Sequence, residues 1–298
     1  MYDVIIIGGG PAGLSAAVYA ARACLNALLL EKHPMGGGQI LNTAEVDNYL
    51  GLPGADGFEL GQRFTEHAAK LGIKPVAEEV IRISCGGAVK KVITAKQEYE
   101  AKAIIYAAGA GHKKLGIPGE EAFAGKGVSY CATCDGAFFR GKTTAVIGGG
   151  DVALEDALFL ANVCEKVYLV HRRDTFRGAR TLVERVKATE NIELTLDTAP
   201  EEIAGEDRVQ KLLCVHKKTG EKKNLAVDGV FIAVGMAPYT RLIDGQVKLD
   251  ENGYVAAGED CKTSVDGVFA AGDVRTKKVR QIVTAVSDGA VAVAGIQG

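Results

Sequence analysis

Two glycine-rich turns constrain the fold of this chain more than any other feature. The first turn, residues 8–13, follows a β-branched run at residues 3–7, and a helical pattern then leads to a second apolar run at residues 27–31. Strand, glycine turn, helix and strand in this order are typical of a βαβ unit, whose two strands are parallel.

The same order of elements occurs again about 140 residues further along the chain. An apolar run at residues 143–147 precedes the turn at residues 148–153, and a helical stretch and another apolar run at residues 166–170 follow. The sequence therefore predicts an α/β fold with two separate nucleotide-binding units.

The glycines of the first turn suit a dinucleotide. Gly8, Gly10 and Gly13 match the GxGxxG pattern, which permits a tight turn, close approach of a pyrophosphate and close packing of helix on strand. Glu31 ends the second strand, where an acid can accept hydrogen bonds from ribose hydroxyls and repel a 2′-phosphate. We expect an unphosphorylated adenosine here, as in FAD or NAD. The structural alternative is a glycine turn that only packs a helix.

The second turn predicts a different nucleotide. Gly148, Gly150 and Ala153 match GxGxxA, but the following strand ends in a basic segment, residues 171–177, that contains three arginines. Guanidinium groups at this point can pair with a ribose 2′-phosphate, so the expected ligand is NADPH. A solvated basic strand end is the alternative interpretation.

A closely spaced cysteine pair, Cys131 and Cys134, lies between the two turns and is followed by Asp135. A zinc site would need a second cysteine or histidine pair at suitable spacing, and none is obvious. Two core cysteines are a further alternative, but the residues that follow Cys134 are too polar for an ordinary core strand. A redox-active pair fits best, with Asp135 as the acid–base group that moves the proton of the second sulfur.

The remaining cysteines do not indicate a disulfide-stabilised secreted scaffold. The chain has seven cysteines, an odd number with irregular spacing. We expect the five outside the pair to behave as small buried hydrophobic residues. They are Cys24, Cys85, Cys164, Cys214 and Cys261.

Composition excludes several classes of partner. The formal net charge is −2 and the chain contains no tryptophan, so neither a general basic field nor a base-stacking platform suggests nucleic acid or an anionic membrane. The apolar run at residues 4–21 has no basic segment before it and is interrupted by glycines and a proline, which is unsuited to a membrane helix. We therefore expect a cytoplasmic protein.

The later part of the chain predicts further elements. A strand ends at Gly272 and Asp273, which directs a carboxylate out of the sheet edge, and residues 281–294 form an apolar helical pattern. Charged turns are expected at residues 200–208 and 216–224, between strands that look antiparallel.

Taken together, these motifs resemble one family, the low-molecular-weight thioredoxin reductases of the bacterial type. The matching segments span nearly the whole chain in the family's order, and residues 129–136, Ser-Tyr-Cys-Ala-Thr-Cys-Asp-Gly, are highly specific. The segments are residues 8–13, 37–39, 131–136, 148–151, 171–177 and 267–273. Two departures are Ala108, where the family commonly has threonine, and Tyr239, where asparagine is usual.

The resemblance implies two Rossmann-like three-layer domains, with the NADPH domain inserted into a discontinuous FAD domain. It places the FAD domain at residues 1–114 and 237–298 and the NADPH domain, which carries the cysteine pair, at residues 115–236. The implied FAD-binding residues are Gly8, Gly10, Pro11, Ala12, Gly13, Glu31, Gly38, Gln39, Asn48, Gly109, Asp273, Gln281 and Ile282. The implied NADPH-binding residues are Gly148, Gly150, Asp151, Ala153, His171, Arg172, Arg173 and Arg177.

The activity implied by the resemblance is transfer of electrons from NADPH through FAD to the cysteine pair and then to the disulfide of thioredoxin. Cys134 would receive electrons from the flavin and Cys131 would attack the partner's disulfide, while Lys126 and Phe138 lie where docking residues are expected. The resemblance also implies a homodimer. Rival interpretations are a reductase of another thioredoxin-like or glutaredoxin-like carrier and, in a different class, a non-catalytic flavin- or nucleotide-binding redox sensor.

Overall fold

The computed structural model describes residues 1–43, 46 and 48–297. The helices are α1 (Pro11–Arg22), α2 (Gly57–Lys70), α3 (Ala132–Asp135), α4 (Asp151–Ala161), α5 (Arg180–Ala188) and α6 (Ile282–Gln297). The strands are β1 (Tyr2–Ile7), β2 (Ala27–Glu31), β3 (Pro75–Ala77), β4 (Val80–Ser84), β5 (Lys90–Thr94), β6 (Glu98–Tyr106), β7 (Ala110–His112), β8 (Val128–Ser129), β9 (Thr143–Gly148), β10 (Lys166–Val170), β11 (Ile192–Thr195), β12 (Thr198–Gly205), β13 (Val209–His216), β14 (Lys222–Ala226), β15 (Gly229–Ala233), β16 (Met236–Pro238) and β17 (Val268–Ala270).

The chain divides into two compact units. Unit 1 comprises Met1–Gly111 and Ala237–Gly298, and unit 2 comprises His112–Met236. Unit 1 is therefore discontinuous in sequence, and unit 2 is inserted into it. Among the described residues, no helix combines the length and the apolar character needed to cross a bilayer.

Unit 1 is built on a sheet with the strand order β3-β2-β1-β6-β5-β4, and β17 also pairs with β6. Strand β1 lies parallel to both β2 and β6, which explains its unbroken apolar sequence, since its central residues are buried on both faces. Strands β4 and β5 add an antiparallel hairpin at one edge.

Separate hydrophobic cores cover the two faces of this sheet. One contains small residues of α1 and α6, such as Ala16 and Ala292, and the other contains residues of the segment 243–257. Helices α1 and α6 approach each other very closely, because a Cβ placed on Gly289 would lie 2.2 Å from the carbonyl oxygen of Ala12. This packing fixes the start of α1, which follows the first glycine turn.

Unit 2 contains a parallel sheet with the order β11-β10-β9-β15-β8. Helices α4 and α5 pack on one face, through residues such as Leu154 and Val186. A three-stranded antiparallel sheet, β12-β13-β14, packs on the other face through Ile203, Leu212 and Leu225. The predicted α/β class is confirmed, with an antiparallel sheet as one outer layer of unit 2.

Two local predictions are corrected by the structure. Most of the turn predicted at residues 200–208 is strand β12, because exposed Glu202 alternates with buried Ile203 and the true turn is limited to residues 206–208. Cys24 is exposed and the other four unpaired cysteines are buried, so the expectation of burial is confirmed for four and wrong for Cys24. Cys24 lies beyond the end of α1 with φ of 55°, where the chain turns toward β2.

Candidate functional site

The first glycine turn of unit 1 forms a cradle between β1 and α1. A Cβ on Gly13 would lie 1.8 Å from the carbonyl oxygen of Gly8, so only glycine allows this approach. Around Gly10 the nearest atom to an added Cβ would be 3.9 Å away, which leaves room for a ligand. Helix α1 begins at Pro11 with no side-chain cap, so its first amides remain available to a phosphate.

Glu31 lies directly beside this turn. One carboxylate oxygen accepts a hydrogen bond of 2.6 Å from the amide of Gly9, and the other accepts one of 3.0 Å from the amide of His33. These two contacts fix the side chain at the end of β2, where the sequence predicts recognition of a ribose. The acid is therefore preorganised for hydroxyl groups and is unfavourable for a 2′-phosphate.

Two further predicted residues of unit 1, Gln39 and Asn48, each donate a side-chain hydrogen bond to a residue distant in sequence. The side-chain amide of Gln39 donates to the carbonyl of Ala110, next to Gly109. The side-chain amide of Asn48 donates to that of Gln281 over 3.1 Å, directly before α6 begins at Ile282. These contacts connect segments that are distant in sequence.

Asp273 carries the clearest unmet hydrogen-bonding capacity of unit 1. Its Oδ1 atom is buried and has no partner among the described residues. Burial raises the pKa of Asp273, and the charges of Lys277 and Arg280 oppose this increase. The Nε atom of Arg280 is also buried without a partner within the described ranges. Buried orphan groups are uncommon in folded proteins, so these two indicate a place for a polar ligand.

The glycine turn of unit 2 is closed on one side and open on the other. A Cβ on Gly149 would lie 2.1 Å from the ring of His171, whereas a Cβ on Gly150 would meet no atom within 4 Å. Asp151 begins α4 and accepts a hydrogen bond of 2.6 Å from the amide of Ala179, which ties the helix start to the chain two residues beyond the basic segment. The open side lies at the N-terminus of α4, a suitable place for phosphate.

His171 has a position unlike that of the arginines that follow it. The ring is buried, lies 3.1 Å from the carbonyl oxygen of Thr175 and stacks on Phe176. Burial lowers the pKa of His171, although its contacts to backbone carbonyls oppose this decrease. The ring of His171 therefore packs against Gly149 and supports the glycine turn, mainly in its neutral form.

Arg172, Arg173 and Arg177 are exposed. Within the part of the chain that the structure describes, no hydrogen bond or ion pair holds any of their guanidinium groups. The backbone amide of Arg177 donates to the carbonyl of Gly149 over 2.8 Å, so the basic segment folds back to the turn. Three unpaired cations on one loop favour a dianionic group such as a phosphate monoester.

The cysteine pair of unit 2 is oxidised. Cys131 and Cys134 form a disulfide with a Cα–Cα distance of 5.3 Å, and both residues are half-buried. Cys131 precedes the single turn of α3, and its sulfur lies 3.4 Å from the hydroxyl of Thr133. The disulfide therefore lies at the short helix α3, which begins three residues after the end of β8.

Asp135 is held by a residue that the sequence reasoning did not single out, Ser129. The hydroxyl of Ser129 donates to Asp135 Oδ2 over 2.6 Å and accepts a hydrogen bond of 3.0 Å from the amide of Cys131. Ser129 is 6% exposed and ends β8. Its position two residues before the first cysteine of the motif was the available sequence signal.

A small cleft lies on unit 2 close in sequence to the cysteine pair. It has a volume of about 170 Å³ and is bordered by Lys126, Phe138, Lys142 and Arg208, among others. Phe138 is 46% exposed, while the neighbouring Phe139 is buried against Phe231. An exposed aromatic ring among cations is typical of a protein-binding surface.

Three groups account for many of the predicted site residues. One is the turn of unit 1 with Glu31, the second is the turn of unit 2 with its basic segment, and the third is the disulfide with Asp135. Further predicted residues of unit 1 are Gln39, Asn48, Gly109, Asp273, Gln281 and Ile282. Sequence reasoning gave no role to Ser129, although it lies in the specific segment 129–136, and it did not identify Arg280, which lies in no motif.

Comparison with known proteins gives consistent results. The family described as Pyridine nucleotide-disulphide oxidoreductase matches residues 2–289. The thioredoxin reductase of Bacillus subtilis (strain 168) is 43% identical over 298 residues, which cover 100% of this chain and 94% of the relative. That of Treponema pallidum (strain Nichols) is 45% identical over 292 residues, 98% of this chain and 94% of the relative. The solved thioredoxin reductase from Streptococcus pyogenes MGAS5005 has a TM-score of 0.93 at 43% identity and covers 100% of this chain and 97% of that one.

Proposed function

Because the chain belongs to the pyridine nucleotide-disulphide oxidoreductase family, we propose that it is an NADPH-dependent thioredoxin reductase. The resemblance found in the motifs is confirmed at the level of the family. The observation that carries the proposal is a disulfide, Cys131–Cys134, followed by Asp135, whose carboxylate is held by Ser129, in the same unit as three exposed arginines.

We assign FAD to residues 1–114 and 237–298. The turn at residues 8–13 would hold the pyrophosphate and Glu31 the ribose of the adenosine. Asp273 fits a role toward the cofactor, because its buried and unpartnered oxygen could accept a hydrogen bond from a hydroxyl group. The remaining proposed contacts are Gly38, Gln39, Asn48, Gly109, Gln281 and Ile282.

We assign NADPH to residues 115–236. The open side of the turn at Gly150 leaves space for a pyrophosphate, and Arg172, Arg173 and Arg177 would pair with the 2′-phosphate. His171 would act through the turn that it supports. Asp151 and Ala153 shape the start of α4 beneath the pyrophosphate.

When bound, FAD supplies the carrier that takes a hydride from NADPH and gives two electrons to the disulfide. Reduction with two protons leaves Cys131 and Cys134 as thiols. Cys131 gives its proton to solvent, and its thiolate attacks the disulfide of thioredoxin to form a mixed disulfide; the released thioredoxin sulfur takes up a proton from solvent. Asp135 accepts the proton of Cys134, whose thiolate attacks Cys131, and the second thioredoxin sulfur takes that proton from Asp135 as it leaves. Thioredoxin leaves as a dithiol, and the Cys131–Cys134 disulfide is restored.

Thioredoxin is the proposed partner, and the cleft beside Phe138 and Lys126 is the proposed docking surface. A homodimer is proposed from the resemblance to the family. We further propose that the protein works in the cytoplasm, because five unpaired cysteines, one of them exposed, suit a reducing compartment. Carriers related to thioredoxin are the second candidate class of substrate, but no feature of unit 2 favours them over thioredoxin.

The proposal is tested by an anaerobic titration followed by turnover. The purified protein should be yellow, its flavin absorbance should bleach with NADPH, and it should then reduce thioredoxin catalytically. Cys134→Ser should still bleach with NADPH but should reduce no thioredoxin, because the electrons have no disulfide to enter. A colourless protein, or a Cys134→Ser variant that still turns over thioredoxin, would contradict the proposal.

A further inference from the structure

We propose that Ser129 is a positioning residue whose hydroxyl keeps Asp135 in place in both protonation states of the carboxyl group. This rests on the proposed function, in which Asp135 takes up and returns one proton in every catalytic cycle. Ser129 itself touches neither sulfur in the structure; it acts through Asp135 and through the backbone of Cys131.

Three contacts surround the hydroxyl oxygen of Ser129. It lies 2.6 Å from Asp135 Oδ2, 3.0 Å from the amide nitrogen of Cys131 and 3.3 Å from the carbonyl oxygen of Cys131. The residue is 6% exposed, so water has little access to compete for these contacts. The network lies wholly within unit 2, between the end of β8 and α3.

The hydroxyl of Ser129 suits this position because it can both donate and accept hydrogen bonds. A hydroxyl has one hydrogen to donate and two lone pairs that accept. One lone pair always receives the amide hydrogen of Cys131, which leaves one hydrogen and one lone pair for Asp135 and the carbonyl of Cys131.

When Asp135 is ionised, the hydrogen of Ser129 points to Oδ2. The carbonyl of Cys131 does not then need it, because it accepts a hydrogen bond of 3.1 Å from the amide of Asp135. When Asp135 is protonated, its own hydrogen points to the oxygen of Ser129, and the hydroxyl of Ser129 turns to the carbonyl of Cys131. In both states every hydrogen of this network takes part in a hydrogen bond, and no heavy atom has to move.

The proton that Asp135 handles comes from the thiol of Cys134. Transfer gives the Cys134 thiolate and a protonated Asp135; the thiolate then attacks Cys131 in the mixed disulfide, and the departing thiolate takes the proton back. Without the hydroxyl, the ionised carboxylate loses a donor, and a carboxylate that lacks a donor takes up a proton more readily. As the pH is lowered, deprotonation of Cys134 by Asp135 should therefore fail at a higher pH in the protein without this hydroxyl than in the original protein.

The test uses single-turnover oxidation of the reduced holoenzyme by Ellman's reagent, in a Cys24→Ser background that removes the exposed unpaired thiol. The first thionitrobenzoate is released when Cys131 attacks, and the second when Cys134 closes the disulfide. In Ser129→Ala, the acid limb of the second phase should move up by about one pH unit, while the first phase changes by less than about two-fold. Ser129→Thr, which keeps the hydroxyl, should restore the original profile.

The matched control is Thr198→Val, which removes another buried hydroxyl of unit 2, one that donates to the carbonyl of Leu196. It should leave both phases unchanged. The proposal is overturned if Ser129→Ala has the original profile, if Ser129→Thr behaves like Ser129→Ala, or if Thr198→Val shifts the profile equally. Thioredoxin turnover by the unaltered protein is measured separately, so a failure of the proposed substrate is distinguishable from a failure of this inference.

Discussion

Asp288 offers the sharpest test of how the fold supports the proposed FAD site. Its buried carboxylate accepts hydrogen bonds from Arg275 Nη2 at 2.7 Å, Lys277 Nζ at 2.8 Å and the amide of Gly272 at 2.8 Å. Asp288→Asn keeps the shape of the side chain but removes the buried counter-charge shared by Arg275 and Lys277, which are 2% and 5% exposed. Arg275 then keeps only a 3.5 Å contact to Glu259, whose side chain is 93% exposed. Loss of one partner from a buried ion pair costs about 3–5 kcal/mol in the free energy of unfolding.

The assay is thermal unfolding of the holoprotein, followed by circular dichroism and by release of flavin fluorescence. For a unit of this size, 1 kcal/mol corresponds to about 2–4 °C, so the unfolding temperature should fall by roughly 6–20 °C. Glu59→Gln makes the same chemical change in an exposed ion pair with Arg63 and should shift the unfolding temperature by less than about 1 °C. Similar unfolding temperatures for the two variants would refute the reasoning. Because Asp288 also fixes Gly272, next to Asp273, the variant should lose flavin at a lower temperature too.

The contribution of Asp288 to the free energy of unfolding should decrease at low pH. Burial disfavours its ionised form, but the hydrogen bonds and charges of Arg275 and Lys277 outweigh burial and lower the pKa of Asp288. A carboxyl group with a lowered pKa stabilises the fold above its unfolded-state pKa, and this contribution is lost as the pH falls through the lowered value. The difference in the free energy of unfolding between the original protein and Asp288→Asn should therefore be constant near neutral pH and shrink below about pH 4.

Three further predictions concern exposed and buried groups. Arg172→Ala or Arg177→Ala should weaken NADPH binding about ten- to a hundred-fold in calorimetry and leave NADH binding unaffected. The control Arg185→Ala, on α5, should change the binding of neither nucleotide. Equal losses of affinity for both nucleotides would contradict the phosphate role. The oxidised protein should release about one thionitrobenzoate per chain rapidly from Ellman's reagent, and Cys24→Ser none, because burial raises the pKa of the other unpaired thiols. In an NMR titration, the imidazole signal of His171 should titrate below its ordinary value of about 6.5, because burial lowers its pKa; a midpoint at or above that value would contradict a dominant effect of burial.

The α/β core was predictable because its signals are local. A glycine turn between an apolar strand and a helix is specified within about 30 residues, and the observed strands β1, β2, β9 and β10 follow the apolar runs of the sequence. The type of charge at the end of β2 and β10 was also readable, since it depends on one or two residues. These are features for which sequence neighbours are also neighbours in space.

The antiparallel sheet of unit 2 was harder to predict, because its exposed face carries the charge. Glu201 of β12 lies 3.1 Å from Lys222 of β14, so residues that look like a charged turn form an ion pair across a sheet. Buried Ile203 and Leu212, on the opposite face, were masked by these charges. Alternation over a short strand is a weak signal when charged residues dominate the composition.

The basic segment after β10 shows what residue type alone leaves open. His171, Arg172 and Arg173 are adjacent in sequence and were predicted together as NADPH-binding residues, but only His171 is buried. The ring of His171 points into the fold against Gly149, where any side chain would collide with it, and the arginines remain exposed. Because burial also lowers the pKa of His171, a phosphate at this loop would be held by permanently charged guanidinium groups. Discrimination between the two nicotinamide cofactors should therefore depend on the arginines, while replacement of His171 should weaken both cofactors alike by releasing the glycine turn that they share.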